Sequence, residues 1–119
     1  MKVVYASRTG NVRSFIEKLG VDNVLEIEDG TETVDEKYVL VTYTDGYGEL
    51  PPEVETFLEH NADNLVAVAA SGDTSYGDAY CLAADEVADR YGVPILLKFE
   101  NDGTNEDVSD FLDQLENVK

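Results

Sequence analysis

The sequence predicts an α/β protein built on one open, mostly parallel sheet of five strands with helices on both faces. Three observations predict it. Short apolar runs alternate with segments whose apolar residues recur at helical spacing, from one end of the 119 residues to the other. The run YVLVTY (38–43) is apolar but for one threonine, as a central strand covered on both faces should be. Glycine and hydroxyl residues gather in three turns that all follow strands.

The elements can be taken in order. KVVYA (2–6) reads as a first strand, and Val12, Phe15, Ile16 and Leu19 then form a helical stripe closed by Gly20. NVLEI (23–27) is a short second strand, followed by the acidic turn EDGTETVDE and the third strand at 38–43. Pro52 suits a first helical turn, with Val54, Phe57 and Leu58 behind it. LVAVAA (65–70) is a fourth strand. Tyr80, Ala83, Ala84, Val87, Ala88 and Tyr91 make the clearest helical stripe. PILLKF (94–99) is a fifth strand, and Thr104 caps a last helix with Val108, Phe111, Leu112 and Leu115 on its apolar face. Right-handed crossovers leave few topologies for such a chain. The strand order 2-1-3-4-5, the flavodoxin-like three-layer α/β/α sandwich, suits five strands best.

Residues 1–119 form a single domain, with hydrophobic residues at 43%, enough for one continuous core. No run of 18 apolar residues is present, and MKVVYASRTG enters a strand pattern directly without a signal-peptide layout. A lone cysteine, Cys81, permits no internal disulfide or metal cluster, so a reduced, cytoplasmic protein is expected. Charge is the outlying property. Against 8 basic residues stand 26 acidic ones, for a formal net charge of −18. Such a field repels nucleic-acid phosphate and anionic lipid, so neither nucleic acid nor membrane is an expected partner. The acids are dispersed along the chain, which favours adaptation to high salt over a docking face for a basic partner, though both readings stand.

In a sheet of this kind, ligands bind at the carboxyl ends of the strands, near the reversal of strand order. The loops there read SRTGNV (7–12), TDGYGEL (44–50) and SGDTSYGD (71–78). In the first, hydroxyls and the free amides of a helix N-terminus suit a phosphate monoester, with Gly10 allowing close approach and Arg8 adding charge or pointing to solvent. It is not a P-loop, since no Gly-Lys-Ser/Thr ending follows, nor a dinucleotide fingerprint, since the three spaced glycines are missing. The other loops each bring an aromatic beside glycine: Tyr47 between Gly46 and Gly48, and Tyr76 before Gly77. Tyrosines there can stack on a flat ring system, and Gly46 and Gly48 can let a peptide flip with the charge of the ligand. Together the loops suggest flavin mononucleotide (FMN). A phosphoacceptor receiver domain fits poorly: Asp45 and Lys98 match two of its positions, but the first loop offers no acid for a magnesium cage.

The stretches SRTGNV, VLVTYTDGYGELP, VAASGDTSYGDAY and YGVPILLKFENDGT resemble the NrdI flavodoxin-like family, the ribonucleotide reductase stimulatory proteins, in register from residue 3 to about residue 115. The most specific block is Ala70-Ser71-Gly72 through Gly77-Asp78, then Gly92-Val93-Pro94, Phe99-Glu100 and Gly103-Thr104. The resemblance implies an accessory flavoprotein rather than an independent enzyme. It implies bound FMN, a reductase that supplies electrons, and dioxygen as the oxidant. The superoxide-level product would serve the dimanganese centre of the class Ib ribonucleotide reductase small subunit, which makes a tyrosyl radical. By position, Ser7, Thr9, Gly10, Asn11 and Val12 would hold the phosphate. The Thr44, Asp45, Gly46, Tyr47, Gly48 loop would meet the redox-active edge, with Tyr47 and Tyr76 flanking the ring. Arg8, Tyr43, Ser71, Gly72, Asp73, Gly77 and Asp78 complete the expected cofactor-binding set; no side chain is expected as nucleophile or metal ligand. Asp45 and Asp73 stand where relatives are commonly neutral or basic, and would disfavour an anionic reduced flavin. Asn101-Asp102 stands where relatives often carry an apolar residue, a departure assigned to the partner-facing surface. The alternative on the same fold is a general electron-transfer flavodoxin.

Overall fold

The computed structural model describes residues 1–45 and 48–118, apart from the side chains of Asp78 and Ala79. The strands are β1 (Lys2–Tyr5), β2 (Val24–Glu26), β3 (Tyr38–Tyr43), β4 (Leu65–Gly72) and β5 (Ile95–Glu100). They pair in parallel in the order β2-β1-β3-β4-β5, with Val4 opposite both Leu25 and Leu40, and Thr42 opposite Ala70. The four helices are α1 (Asn11–Leu19), α2 (Pro52–Asn61), α3 (Leu82–Tyr91) and α4 (Asn105–Asn117). No helix among the described residues is long and apolar enough to cross a membrane.

The two faces of the sheet carry separate cores because successive strand residues point to opposite sides. Val3, Val39, Val41, Ala67 and Ala69 face α1 and α4, where Phe15 stacks on Phe99 at 4.0 Å and meets Phe111 edge-on at 5.6 Å. Val4, Leu40, Val68 and Ala70 face α2 and α3, where Phe57 packs edge-on to Tyr38 at 5.7 Å. Offset and edge-on rings of this kind add to their area burial, so they fix helix position as well as stabilise it.

The caps read from sequence are present where chemistry places them. Gly20 ends α1 at φ 68, and Pro52 opens α2. Thr104 and Asp107 form a reciprocal capping box at the start of α4, with bonds of 3.1 and 2.8 Å. Between β2 and β3 the acidic turn stays irregular. The Glu32 carboxylate accepts the amides of Glu28, Asp29 and Gly30 at 2.8, 3.3 and 3.0 Å, satisfying locally what a helix would have satisfied.

Several strand ends move by a residue from expectation, and two larger shifts matter at the rim. β4 runs to Gly72 instead of ending at Ala70, because Ser71 and Gly72 pair with Phe99 and Glu100 of β5. α3 begins at Leu82 instead of Tyr80. Thr74–Ala79 form a 3-10 segment broken at Gly77, and Cys81 then takes a left-handed conformation at φ 55 before the helix starts. Tyr80 therefore precedes the helix instead of opening its stripe.

Candidate functional site

All five strands point their carboxyl ends to one rim, and a cleft of about 210 Å³ opens there. A site enclosing a drug-sized molecule usually spans roughly 300–1,000 Å³. An occupant of that size would therefore keep part of its surface in solvent.

At one end of the cleft lies the start of α1. Gly10 occupies the N-cap at φ 93 with no side-chain cap, and a β-carbon there would meet no protein atom within 4 Å. Ser7 Oγ accepts the Arg13 amide at 3.2 Å, and Gly10 O accepts that of Ser14 at 2.9 Å. Among the described residues, the amides of Gly10, Asn11 and Val12 meet no acceptor, and the first turn holds no acid. The positive end of the helix is thus uncompensated beside the hydroxyls of Ser7 and Thr9, which suits a phosphate oxygen.

Arg8 is engaged elsewhere. Its guanidinium pairs with Asp45 at 2.7 Å and lies 4.9 Å from the Tyr43 ring centroid, tying the first rim loop to the second. The bond to Asp45 holds Arg8 above its ordinary pKa. Tyr43 in turn bonds Glu53 of α2 through its hydroxyl, and burial, aided by that carboxylate, pushes its pKa up to about 12. Asp45 anchors the second loop: its amide and carbonyl pair with Glu49 at 2.8 and 2.7 Å, and its carbonyl accepts the Gly48 amide at 3.1 Å.

Gly48 is less free than its sequence context suggests. It sits at φ 105, and an added β-carbon would lie 2.7 Å from Leu82 Cδ1. The glycine meets the demands of a positive-φ turn and of close packing against Leu82. Gly46 and Tyr47, expected at the flavin edge, lie outside the described residues.

Of the residues singled out from sequence, Ser7, Arg8, Thr9, Asn11, Val12, Tyr43, Thr44, Ser71, Gly72, Asp73 and Tyr76 line the one cleft. Gly10, Asp45, Gly48 and Gly77 are not among its lining residues, and the Asp78 side chain is outside the described set. Tyr76 is among the most exposed large hydrophobic residues, at 47%. Two residues join the lining that sequence did not place there, Cys81 and Asn101. Asn101 was discoverable: it follows the fifth strand, whose carboxyl end belongs to the same rim as the other three.

Cys81 is fully buried, its thiol lying 3.4 Å from Ala70 O and 3.6 Å from Phe99 O. Burial pushes the thiol up to about 11. Since the thiolate is the reactive form, Cys81 should resist a disulfide reagent such as DTNB for hours at pH 8 and react fully only in denaturant. Rapid labelling of the folded protein would contradict this. His60 is exposed in the last turn of α2, and Lys98 pairs with Asp85 at 2.6 Å. Among the described residues no three His, Cys, Asp or Glu side chains cluster as metal ligands.

A doubly wound sheet in this order, with an uncapped helix N-terminus opening onto the rim cleft, defines a flavodoxin-like protein. The model of the family described as NrdI flavodoxin-like matches residues 3–113. The chain belongs to that family. It is 43% identical over 118 residues to Protein NrdI of Macrococcus caseolyticus, covering 99% of this chain and 91% of that one. Protein NrdI of Bacillus licheniformis is also 43% identical, over 99% of this chain and 89% of the relative. Among solved structures, a flavodoxin of Streptococcus pneumoniae TIGR4 superposes with a TM-score of 0.71 at 31% identity, covering 98% of this chain and 95% of the other. Oxidised flavodoxin 2 of Bacillus cereus does so at 0.67 and 28%, covering 98% and 97%. Family membership implies flavin binding and association with ribonucleotide reductase.

Proposed function

We propose that this chain is a cytoplasmic FMN-binding accessory protein that activates a class Ib ribonucleotide reductase. The observation that carries the choice of a mononucleotide is the start of α1. Its first-turn amides and the hydroxyls of Ser7 and Thr9 make one anion site, at one end of a cleft whose other walls come from the ends of β3 and β4, the segments that follow them, and Asn101 just after β5. One phosphate monoester fits that arrangement.

Bound there and reduced by a separate reductase, FMN would supply one-electron reduction of dioxygen, giving a superoxide-level oxidant for the dimanganese centre of the reductase small subunit. The chain's own residues hold and shield. Ser7, Thr9 and the α1 amides fix the phosphate, and Tyr76 offers an exposed ring face at the cleft. Thr44 Oγ1 donates to Ser71 O at 3.0 Å, which keeps the second and third loops in register. The similarity to flavodoxin structures supports a second reading, general electron transfer.

One assay separates them. The FMN-loaded protein is reduced, exposed to air and mixed with a manganese-loaded class Ib small subunit, and tyrosyl radical is measured by electron paramagnetic resonance. Radical that forms only with this protein present is the expected result. No radical, together with brisk electron transfer to unrelated acceptors, would favour the flavodoxin reading.

A further inference from the structure

Asn101 follows directly on β5 and stands in the left-handed region at φ 54. Among the described residues only two that are not glycine take positive φ, Asn101 and Cys81, and both line the cleft. Such a conformation persists where the surroundings impose it, and it concentrates at ligand sites. Here the surroundings are explicit. The Asn101 amide donates to Gly72 O at 2.9 Å, and Ser71 Oγ donates to Asn101 O at 2.5 Å. One residue earlier, the Glu100 carboxylate accepts both the amide and the hydroxyl of Thr74. The backbone is held from both sides, while the Asn101 side-chain amide meets no hydrogen-bond partner among the described residues.

Sheet order decides which part of a ligand this residue meets. β5 lies two strands beyond β3, whereas β1 leads into the anion site at α1. A phosphate held at α1 leaves the flavin ring system for the rest of the cleft, which runs from Tyr43 and Thr44 past Ser71 and Gly72 to Asn101. The pyrimidine edge of that ring carries two carbonyls and an imide N–H. A carboxamide both donates and accepts, so it matches that edge where a carboxylate or an alkyl group would not. We infer that Asn101 is a ring-positioning residue whose side-chain amide hydrogen-bonds the polar edge of the flavin. The inference rests on the flavin reading above and deepens it.

Asn101→Gly is the informative variant, because glycine takes the left-handed region freely, so the side chain and its amide are removed without adding backbone strain. Dissociation constants for FMN and for riboflavin are measured by quenching of flavin fluorescence, and the melting temperature of each apoprotein is recorded. Loss of one net hydrogen bond should raise both constants about fivefold in Asn101→Gly, with the melting temperature unchanged or higher. Asn101→Ala should show the same rise with a lower melting temperature, since alanine bears the strain. Unchanged constants in Asn101→Gly would overturn the inference, and so would a rise confined to FMN, which would place the residue at the phosphate. Wild-type protein that takes up neither flavin would overturn the flavin reading itself, and this inference with it.

Discussion

Asn61→Ala lowers the melting temperature of the apoprotein by about 12 °C, from a loss of about 3 kcal/mol at roughly 4 °C per kcal/mol for a domain of this size. The side chain is buried and satisfies three backbone groups at once. Its Oδ1 accepts the Val34 amide at 2.9 Å, and its Nδ2 donates to Glu32 O at 2.9 Å and Phe57 O at 3.0 Å. Alanine leaves the Val34 amide buried without a partner, which costs more than the bonds themselves contribute. The effect should be large because the segment between β2 and β3 has no helix to hold it. Asn61 clamps that segment to α2, and Tyr38 reinforces the clamp by donating to Asn61 O at 2.9 Å. The clamp sits at the end of α2 and the start of β3, away from the rim cleft. Flavin affinity measured well below the melting temperature should therefore change less than twofold. A fall of under 3 °C by calorimetry would mean that the segment is held some other way.

Thr9→Asp tests the opposite end of the molecule. Thr9 is exposed, lines the cleft and adjoins the free amides of α1. A carboxylate there would occupy the positive helix terminus and repel a phosphate dianion. Two unit charges 4 Å apart interact by about 4 kcal/mol at an effective dielectric of 20, and water at this open site reduces that. The FMN dissociation constant should rise about 100-fold, while that of riboflavin, which lacks the phosphate, stays within threefold. The folded state should not suffer, because an acid near a helix N-terminus is stabilising. Equal weakening of both flavins would remove the phosphate from this end of the cleft.

The fold was legible because each strand and helix carries its own period and its own stop. The acidic turn 28–36 shows where reading from sequence thins out. Nothing local reveals that Glu32 would gather three amides, or that Asn61, 29 residues later, would clamp the turn. The residues proposed for the anion end were easier to single out, because Ser7 to Val12 are contiguous in sequence and open one helix. The pairing of Arg8 was not legible, because its partner Asp45 comes from another loop, and a residue's choice between ligand, solvent and ion pair is made by tertiary distance. The start of α3 was missed because Tyr80 fits the apolar stripe, while the left-handed turn at Cys81 depends on burial of its thiol against Ala70 and Phe99. Asn101 departs from the family pattern and is exposed, and its place just after β5 brings it to the cleft.

The seclusion of the one thiol bears on durability. Sulfur is the element most readily oxidised in a side chain, and susceptibility follows thiolate character and access. This chain holds one cysteine and one methionine. The first is sealed under the rim with its proton held tightly, and the second packs at the N-terminus against the α1 and α4 core. In the proposed role beside a reactive oxygen species, the chain would offer that species little of its own sulfur, since the thiol is buried and the methionine partly so.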